Sequence, residues 1–142
     1  MTLRSLLTIA IVACGSLFCA CHKHVMEGID LPLTISLNHC ASPLFSRNDV
    51  SICFDSVLND SRCRITGACF WPAYAACKFS LTSGDETVPF RLSTINIPNY
   101  FSSDTVIAGY KIQLMDLEPY PGTVPDPVPP GIIKVKLNIT RL

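Results

Sequence analysis

The chain has 142 residues, which is enough for one well-cored domain and too few for two. Its eleven basic and eleven acidic residues cancel, although 49% of the residues are hydrophobic. A neutral chain without a basic stripe has neither the electrostatic footprint that nucleic acid requires nor a polybasic patch for anionic lipid.

Residues 1–20 predict a secretory signal, because a short apolar run ends at Phe18 and is too short for a membrane span. The stretch Leu17-Phe18-Cys19-Ala20-Cys21 resembles a bacterial lipobox, in which small residues precede a cysteine that is acylated after cleavage. We therefore expect acylation of Cys21, which would anchor the protein in a membrane through its lipid chains. Acylation of Cys14, or cleavage near Ala20 to give a soluble secreted protein, are the alternatives.

A tether is expected over residues 21–28, followed by one domain over residues 29–142. The tether contains His22-Lys23-His24 beside Cys21, a combination that resembles Cys/His metal ligation. An acylated cysteine has no free thiolate, and no nearby residue completes a set of four ligands. We therefore expect no metal and no cofactor.

Short strands are predicted along the whole domain, because apolar and polar residues alternate with period two. The alternating segments run over 29–37, 50–54, 75–81, 88–92, 110–117 and 133–139. Val57 breaks the alternation of its strand, which predicts a bulge near Asp55 or Ser56. Pro89 predicts an edge position for the 88–92 strand. The fold class expected is all-β, an antiparallel sandwich or small open barrel of six to seven strands.

Two connections interrupt this pattern. Residues 59–67 begin with Asn, Asp and Ser and end with Gly67, which predicts the turn of a β-hairpin. Trp71, beyond this turn, is expected to pack into the core beside it. Residues 119–131 contain six prolines and cannot join the interior of a sheet.

The eight cysteines are typical of an oxidising compartment, and five of them lie in the predicted domain. A hairpin centred near residue 66 brings Cys63 and Cys69 together, so a disulfide is expected there. The same centre places Cys53 nearly opposite Cys77, but the alternation puts these two on different faces. The second pair is therefore left open between Cys53–Cys77 and Cys40–Cys53.

Several short segments of the predicted domain resemble the sequence pattern of a group of small bacterial envelope lipoproteins and secreted β-domains. The group has the pattern Asp-Ser-Arg-Cys-Pro, then Cys-Val-Trp-Ala-Gly and a strand, and later a Gly-Tyr strand that leads into Leu-x-Pro. The matching segments here are Asp60-Ser61-Arg62-Cys63, Cys69-Phe70-Trp71, Gly109-Tyr110 and Leu117-Glu118-Pro119. Arg64, Pro72 and Ala73 depart from the pattern. The resemblance implies a β-rich exported domain at the outer membrane or periplasmic face, and it implies no particular activity.

No constellation of residues predicts catalysis. The three histidines lie in the tether and at the end of the first strand, and the carboxylates Asp116 and Glu118 are expected to be solvated. A binding or structural module, with a protein partner and no nucleic acid, is therefore the main hypothesis, and a hydrolase is the weakest alternative. The binding loop would include Arg62, Arg64 and Trp71, because a tied loop loses little entropy on binding. Another alternative, a secreted inhibitor-like domain using this loop, predicts that Arg62 or Arg64 points outward.

Overall fold

A computed structural model describes residues 30–43 and 50–142. The predicted signal, the lipidation candidates Cys14 and Cys21, and the histidines of the tether lie outside these residues.

The described chain is all-β and forms two antiparallel sheets that do not close into a barrel, consistent with the predicted β-sandwich. One sheet has the strand order β1-β8-β7-β6 and the other has the order β2-β3-β4-β5. The strands are β1 Leu31–Ser36, β2 Cys40–Ala41, β3 Val50–Asp60, β4 Ala75–Ser83, β5 Glu86–Ser93, β6 Asp104–Ile107, β7 Tyr110–Glu118 and β8 Lys134–Arg141. A single 3₁₀ turn, Pro130–Ile132, precedes β8.

The core lies between the two sheets and is made by the apolar members of each alternation. The largest fully buried side chains are aromatic or branched, and they come from both sheets: Phe54, Phe79, Ile52 and Leu81 from one, and Ile112, Leu114, Leu137 and Ile139 from the other. The rings of Phe54, Phe79 and Phe90 stack in sequence across β3, β4 and β5. Alternation therefore identified the buried face of every long strand, because only that face is removed from water.

Irregularities in the ladders keep the apolar side chains inside. The β3–β4 register shifts between Phe54 and Ser56, which places the predicted bulge at Asp55, and shifts again beyond Val57. In β7 a further shift at Met115 returns Leu117 to the core. Pro89 lies on the edge strand β5, as predicted, where a missing amide donor does not interrupt an inner ladder.

Two short strands were not predicted. Residues 40–41 form β2, which pairs with β3. Strand β6 has four residues, and among the described residues it pairs with one strand, β7. Strands this short carry too little alternation to be recognised in a sequence.

The long connections gather at one end of the sandwich. The connection between β3 and β4 (residues 61–74) and the one between β7 and β8 (residues 119–133) both lie there, and residues 94–103 begin there. Residue Asp30, at the start of β1, lies at the opposite end, because Leu31 pairs with Ile139 near the C-terminal end of β8. The start of β1 and the longest connections therefore lie at opposite ends of the sandwich, separated by the length of the strands.

Candidate functional site at the tied loop

We call residues 61–74, which join β3 to β4, the tied loop. A disulfide between Cys63 and Cys69 closes five residues of it, with Cα atoms 5.9 Å apart. A second disulfide joins Cys40 to Cys53, which face each other across β2 and β3. The two disulfides are those of a protein that matures in an oxidising compartment.

The pairing of Cys53 with Cys77, one of the two options left open, is wrong. Cys53 lies opposite Ser80 in the ladder, whereas Cys77 lies opposite Val57 and points into the core. Cys77 is therefore a free, buried thiol. Burial raises its pKa to about 12, because the thiolate would be poorly solvated there.

Arg62 anchors the tied loop to the sheet on the other side of the sandwich. Its side chain is 4% exposed. Its Nε and Nη2 atoms donate to the two carboxylate oxygens of Asp60 at 2.9 Å and 2.8 Å. Nη1 donates to the carbonyl oxygen of Leu117 at 2.5 Å and to Asp116 at 3.2 Å, and Nη2 also donates to the carbonyl of Pro119. The residue therefore ties the end of β3 to the end of β7.

The electrostatics of this cluster keep Arg62 charged. Desolvation is the largest single effect and lowers the pKa of Arg62, but hydrogen bonding and charge from Asp60, with charge from Asp116, raise it above its ordinary value. The guanidinium carbon also lies 4.9 Å from the centre of the Tyr120 ring, a cation–π distance. The negative charges of Asp60 and Asp116, which lie on opposite sheets, thus compensate the buried positive charge of Arg62.

The expectation that Arg62 belongs to an exposed binding loop is therefore wrong. Its guanidinium has five donors in a fixed fork, and the structure fills them with carboxylates and carbonyls rather than solvent. Asp60, and Asp116, which was expected to be solvated, are the partners that make this possible. Asp116 is 54 residues from Arg62 in sequence, so no local signal could have revealed the pair.

Arg64 is exposed and forms an ion pair with Asp126 in the proline-rich connection. The neighbouring Ile65 donates its amide proton to the carbonyl of Pro121 at 3.2 Å. Gly122 lies directly behind, and a β-carbon at this position would be 3.4 Å from that of Arg64. Its φ of +87° also favours glycine. The tied loop is thus held by the proline-rich connection as well as by its disulfide.

The aromatic residues after Cys69 face outward. Phe70 is 97% exposed and Trp71 is 57% exposed. The indole nitrogen of Trp71 donates to the carbonyl of Ser61 at 3.0 Å, which fixes the ring without burying it. The expected packing of Trp71 against the body of the protein is therefore wrong. Sequence analysis missed Phe70, although its place beside a disulfide-closed turn marks it as a candidate surface residue.

A small cleft adjoins the Arg62 cluster. Its empty space of about 410 Å³ is partly continuous with solvent, and its walls are mostly apolar, including Val57, Leu117, Val128 and Ile133. The carboxylate of Asp60 lies at this cleft but is already bound to Arg62. The site therefore offers apolar surface and aromatic faces, and its charges are paired.

Within residues 30–43 and 50–142, no group of three or more His, Cys, Asp or Glu residues could hold a metal ion. The same residues include no helix long and apolar enough to cross a membrane.

The fold and the two disulfides define the class of protein, a disulfide-bonded β-sandwich. Comparisons with protein-family models, curated proteins and solved structures found no match to this chain.

Proposed function

We propose that the protein is a lipid-anchored binding module of the cell envelope that contacts a protein partner through the aromatic tip, which we define as Phe70 and Trp71. The observation that carries this proposal is the 97% exposure of Phe70 on a loop that is fixed at its base. Exposing a phenyl ring to water has an unfavourable free energy, and this free energy is recovered when a partner covers the ring. A fixed loop also loses little conformational entropy on binding.

The position of the tip favours a partner away from the anchoring membrane. If Cys21 is acylated, residues 21–29 can span at most about 30 Å. Strand β3 alone, with eleven residues, is roughly 36 Å long, and the tied loop lies beyond its far end. When the long axis of the domain is perpendicular to the membrane, this tether cannot bring the tip back to the lipid surface.

The proposed location has two supports. Two disulfides indicate an oxidising, exported compartment. The lipobox-like residues up to Cys21, together with the resemblance to bacterial envelope lipoproteins around Cys63 and Trp71, favour the outer membrane or periplasmic face. The soluble secreted protein remains the alternative.

An inhibitor that presents an arginine is less well supported. Arg62 is used inside the protein, and the guanidinium of Arg64 is already paired with Asp126. The side chain of Arg64 would have to break its ion pair with Asp126 before it could enter a binding site on a partner. The apolar tip needs no such rearrangement.

Site-specific photo-crosslinking tests the proposal. A photoreactive phenylalanine analogue in place of Phe70, in cells that export the protein, should give one discrete crosslinked species. The matched control is the same analogue at Val106, which is also exposed and apolar but lies on β6. Crosslinking at position 70 should disappear in a variant with Trp71→Ala. Equal crosslinking at both positions, or none at position 70, would contradict the proposal.

A further inference from the structure

A second candidate site lies in the connection between β5 and β6. Residues 96–104 enclose an open cleft with about 800 Å³ of empty space, part of which is continuous with solvent. This cleft belongs to a different loop from the aromatic tip. The two loops touch through the rings of Tyr74 and Phe101, whose centres are 6.1 Å apart.

The backbone of this connection is well defined by hydrogen bonds. The amide of Ile97 donates to the carbonyl of Phe101 at 2.8 Å, and the carbonyl of Ile97 accepts from Tyr100 and Phe101 at 3.0 Å each. Asn99 has a φ of +66°, a left-handed conformation that asparagine tolerates better than most residues. The main chain of the turn, from which these side chains project, is therefore held in one conformation.

The polar groups of the cleft are neutral and available. Within the part of the chain that the structure describes, the side chains of Asn99, Tyr100 and Ser102 make no hydrogen bond. Asn96 uses only its carbonyl oxygen, which accepts from the amide of Ser103 at 2.8 Å, so its two amide protons are free. The one charge at the cleft, Asp104, pairs with Lys111 at 3.2 Å.

Tyr100 adds an aromatic face to these groups. It is 81% exposed, and Ile97 and Phe101 supply apolar lining beside it. A ligand suited to this cleft has an apolar face that stacks on a ring and neutral hydroxyl or amide groups at its edge. Planar amides are appropriate partners because each offers two donors and an acceptor. Saccharides have this combination, since one face of a pyranose ring presents C–H groups and its rim presents hydroxyls.

We propose that the cleft of residues 96–104 binds a neutral saccharide, with Tyr100 as the stacking platform and the amides of Asn96 and Asn99 as hydrogen-bonding groups. This site is independent of the aromatic tip. The contact between Tyr74 and Phe101 joins the loop of this cleft to the tied loop.

The test is backbone NMR titration of the full domain with maltohexaose, cellohexaose, laminarihexaose and N-acetylchitohexaose. At least one of these should cause saturable shifts that centre on the amides of residues 96–104. Tyr100→Ala should weaken its binding about fivefold to tenfold, because a stacking contact is lost. Tyr100→Phe should retain most of the affinity, because the ring is kept. Asn99→Gly should weaken binding without disturbing the turn, since glycine accepts the positive φ.

Phe70→Ala is the matched control, because it removes an exposed aromatic ring from the other loop and should leave saccharide binding unchanged. The proposal would be overturned if none of the four saccharides shifted these amides at about 10 mM. It would also be overturned if Tyr100→Ala bound as well as the native protein, or if a proline-rich peptide occupied the cleft while all four saccharides failed. Loss of photo-crosslinking at position 70 with intact saccharide binding would affect only the function proposed for the tip.

Discussion

Arg62 joins the two sheets at the end of the sandwich that holds the tied loop. Its guanidinium bonds to Asp60 at the end of β3 and to Asp116 and Leu117 in β7, and its side chain is nearly inaccessible to solvent. A buried cation of this kind is unfavourable when alone and tolerable when every donor has an acceptor. The residue therefore acts as a structural tie that positions the loop.

Replacing this arginine should be costly. Arg62→Met should lower the free energy of unfolding by about 2–4 kcal/mol, because the carboxylates of Asp60 and Asp116 lose their shared cation. Arg64→Met is the matched control and should cost less than about 1 kcal/mol, because the ion pair of Arg64 is exposed. Urea denaturation of the two variants measures both values. Equal losses of unfolding free energy in the two variants would show that Arg62 contributes no more to stability than Arg64.

Cys77 should be inert in the folded protein. Its pKa is raised to about 12 by burial, so the thiolate is scarce through about pH 10. Iodoacetamide should therefore leave Cys77 unmodified in the native protein between about pH 7 and pH 10, and should label it after unfolding in urea. Peptide mass spectrometry identifies the site. Rapid native labelling of Cys77 would contradict the buried position.

The tied loop, at the scale of one element, is held by three independent constraints. These are the Cys63–Cys69 disulfide, the contacts of Arg62 and the packing of Gly122 against the loop. The hairpin, its centre and the neighbouring bulge follow from alternation and turn chemistry, which are local signals. The burial of Arg62 does not follow from local signals, because it depends on residues more than fifty positions away in the sequence. The exposure of Trp71 does not follow from them either, because its ring is held by a carbonyl group that only the folded loop presents.

The two disulfides should contribute unequally to stability. Closing the loop between Cys63 and Cys69 contributes about 2 kcal/mol on the chain-entropy argument, and closing the longer one between Cys40 and Cys53 contributes about 3 kcal/mol. Replacing each pair by serine and measuring unfolding in guanidinium tests this order. Because Arg62 still holds the base of the tied loop, the Cys63→Ser/Cys69→Ser variant should stay folded. Global unfolding of that variant would contradict this account.

The molecule as a whole has two ends with different roles. The chain enters β1 at one end, and the tied loop, the proline-rich connection and the start of the 94–103 connection lie at the other. Period-two alternation was enough to predict the sandwich, since each long strand buries one face. Strands β2 and β6 escaped prediction because they contain two and four residues. The arrangement of the loops at the end that holds the tied loop was not predicted, because it depends on contacts between segments that are distant in sequence.

The proposed anchor makes a prediction at this scale. Cys21→Ser should move the protein from the membrane fraction to the soluble fraction, and intact mass should show the loss of the acyl groups. Cys14→Ser should change neither property. The fold should be unaffected by Cys21→Ser, as judged by circular dichroism, because residue 21 precedes the domain. Unchanged membrane association of Cys21→Ser would contradict anchoring at this cysteine.

The central claim is that the tied loop presents exposed aromatic residues in a fixed geometry. Backbone ¹⁵N relaxation of the domain tests it most directly, because order parameters report motion of each amide on the picosecond to nanosecond timescale. We expect order parameters of about 0.8 or higher for the amides of Arg62, Phe70 and Trp71, similar to those of the strands. Values below about 0.6 across the loop would show that it is mobile and would contradict the account.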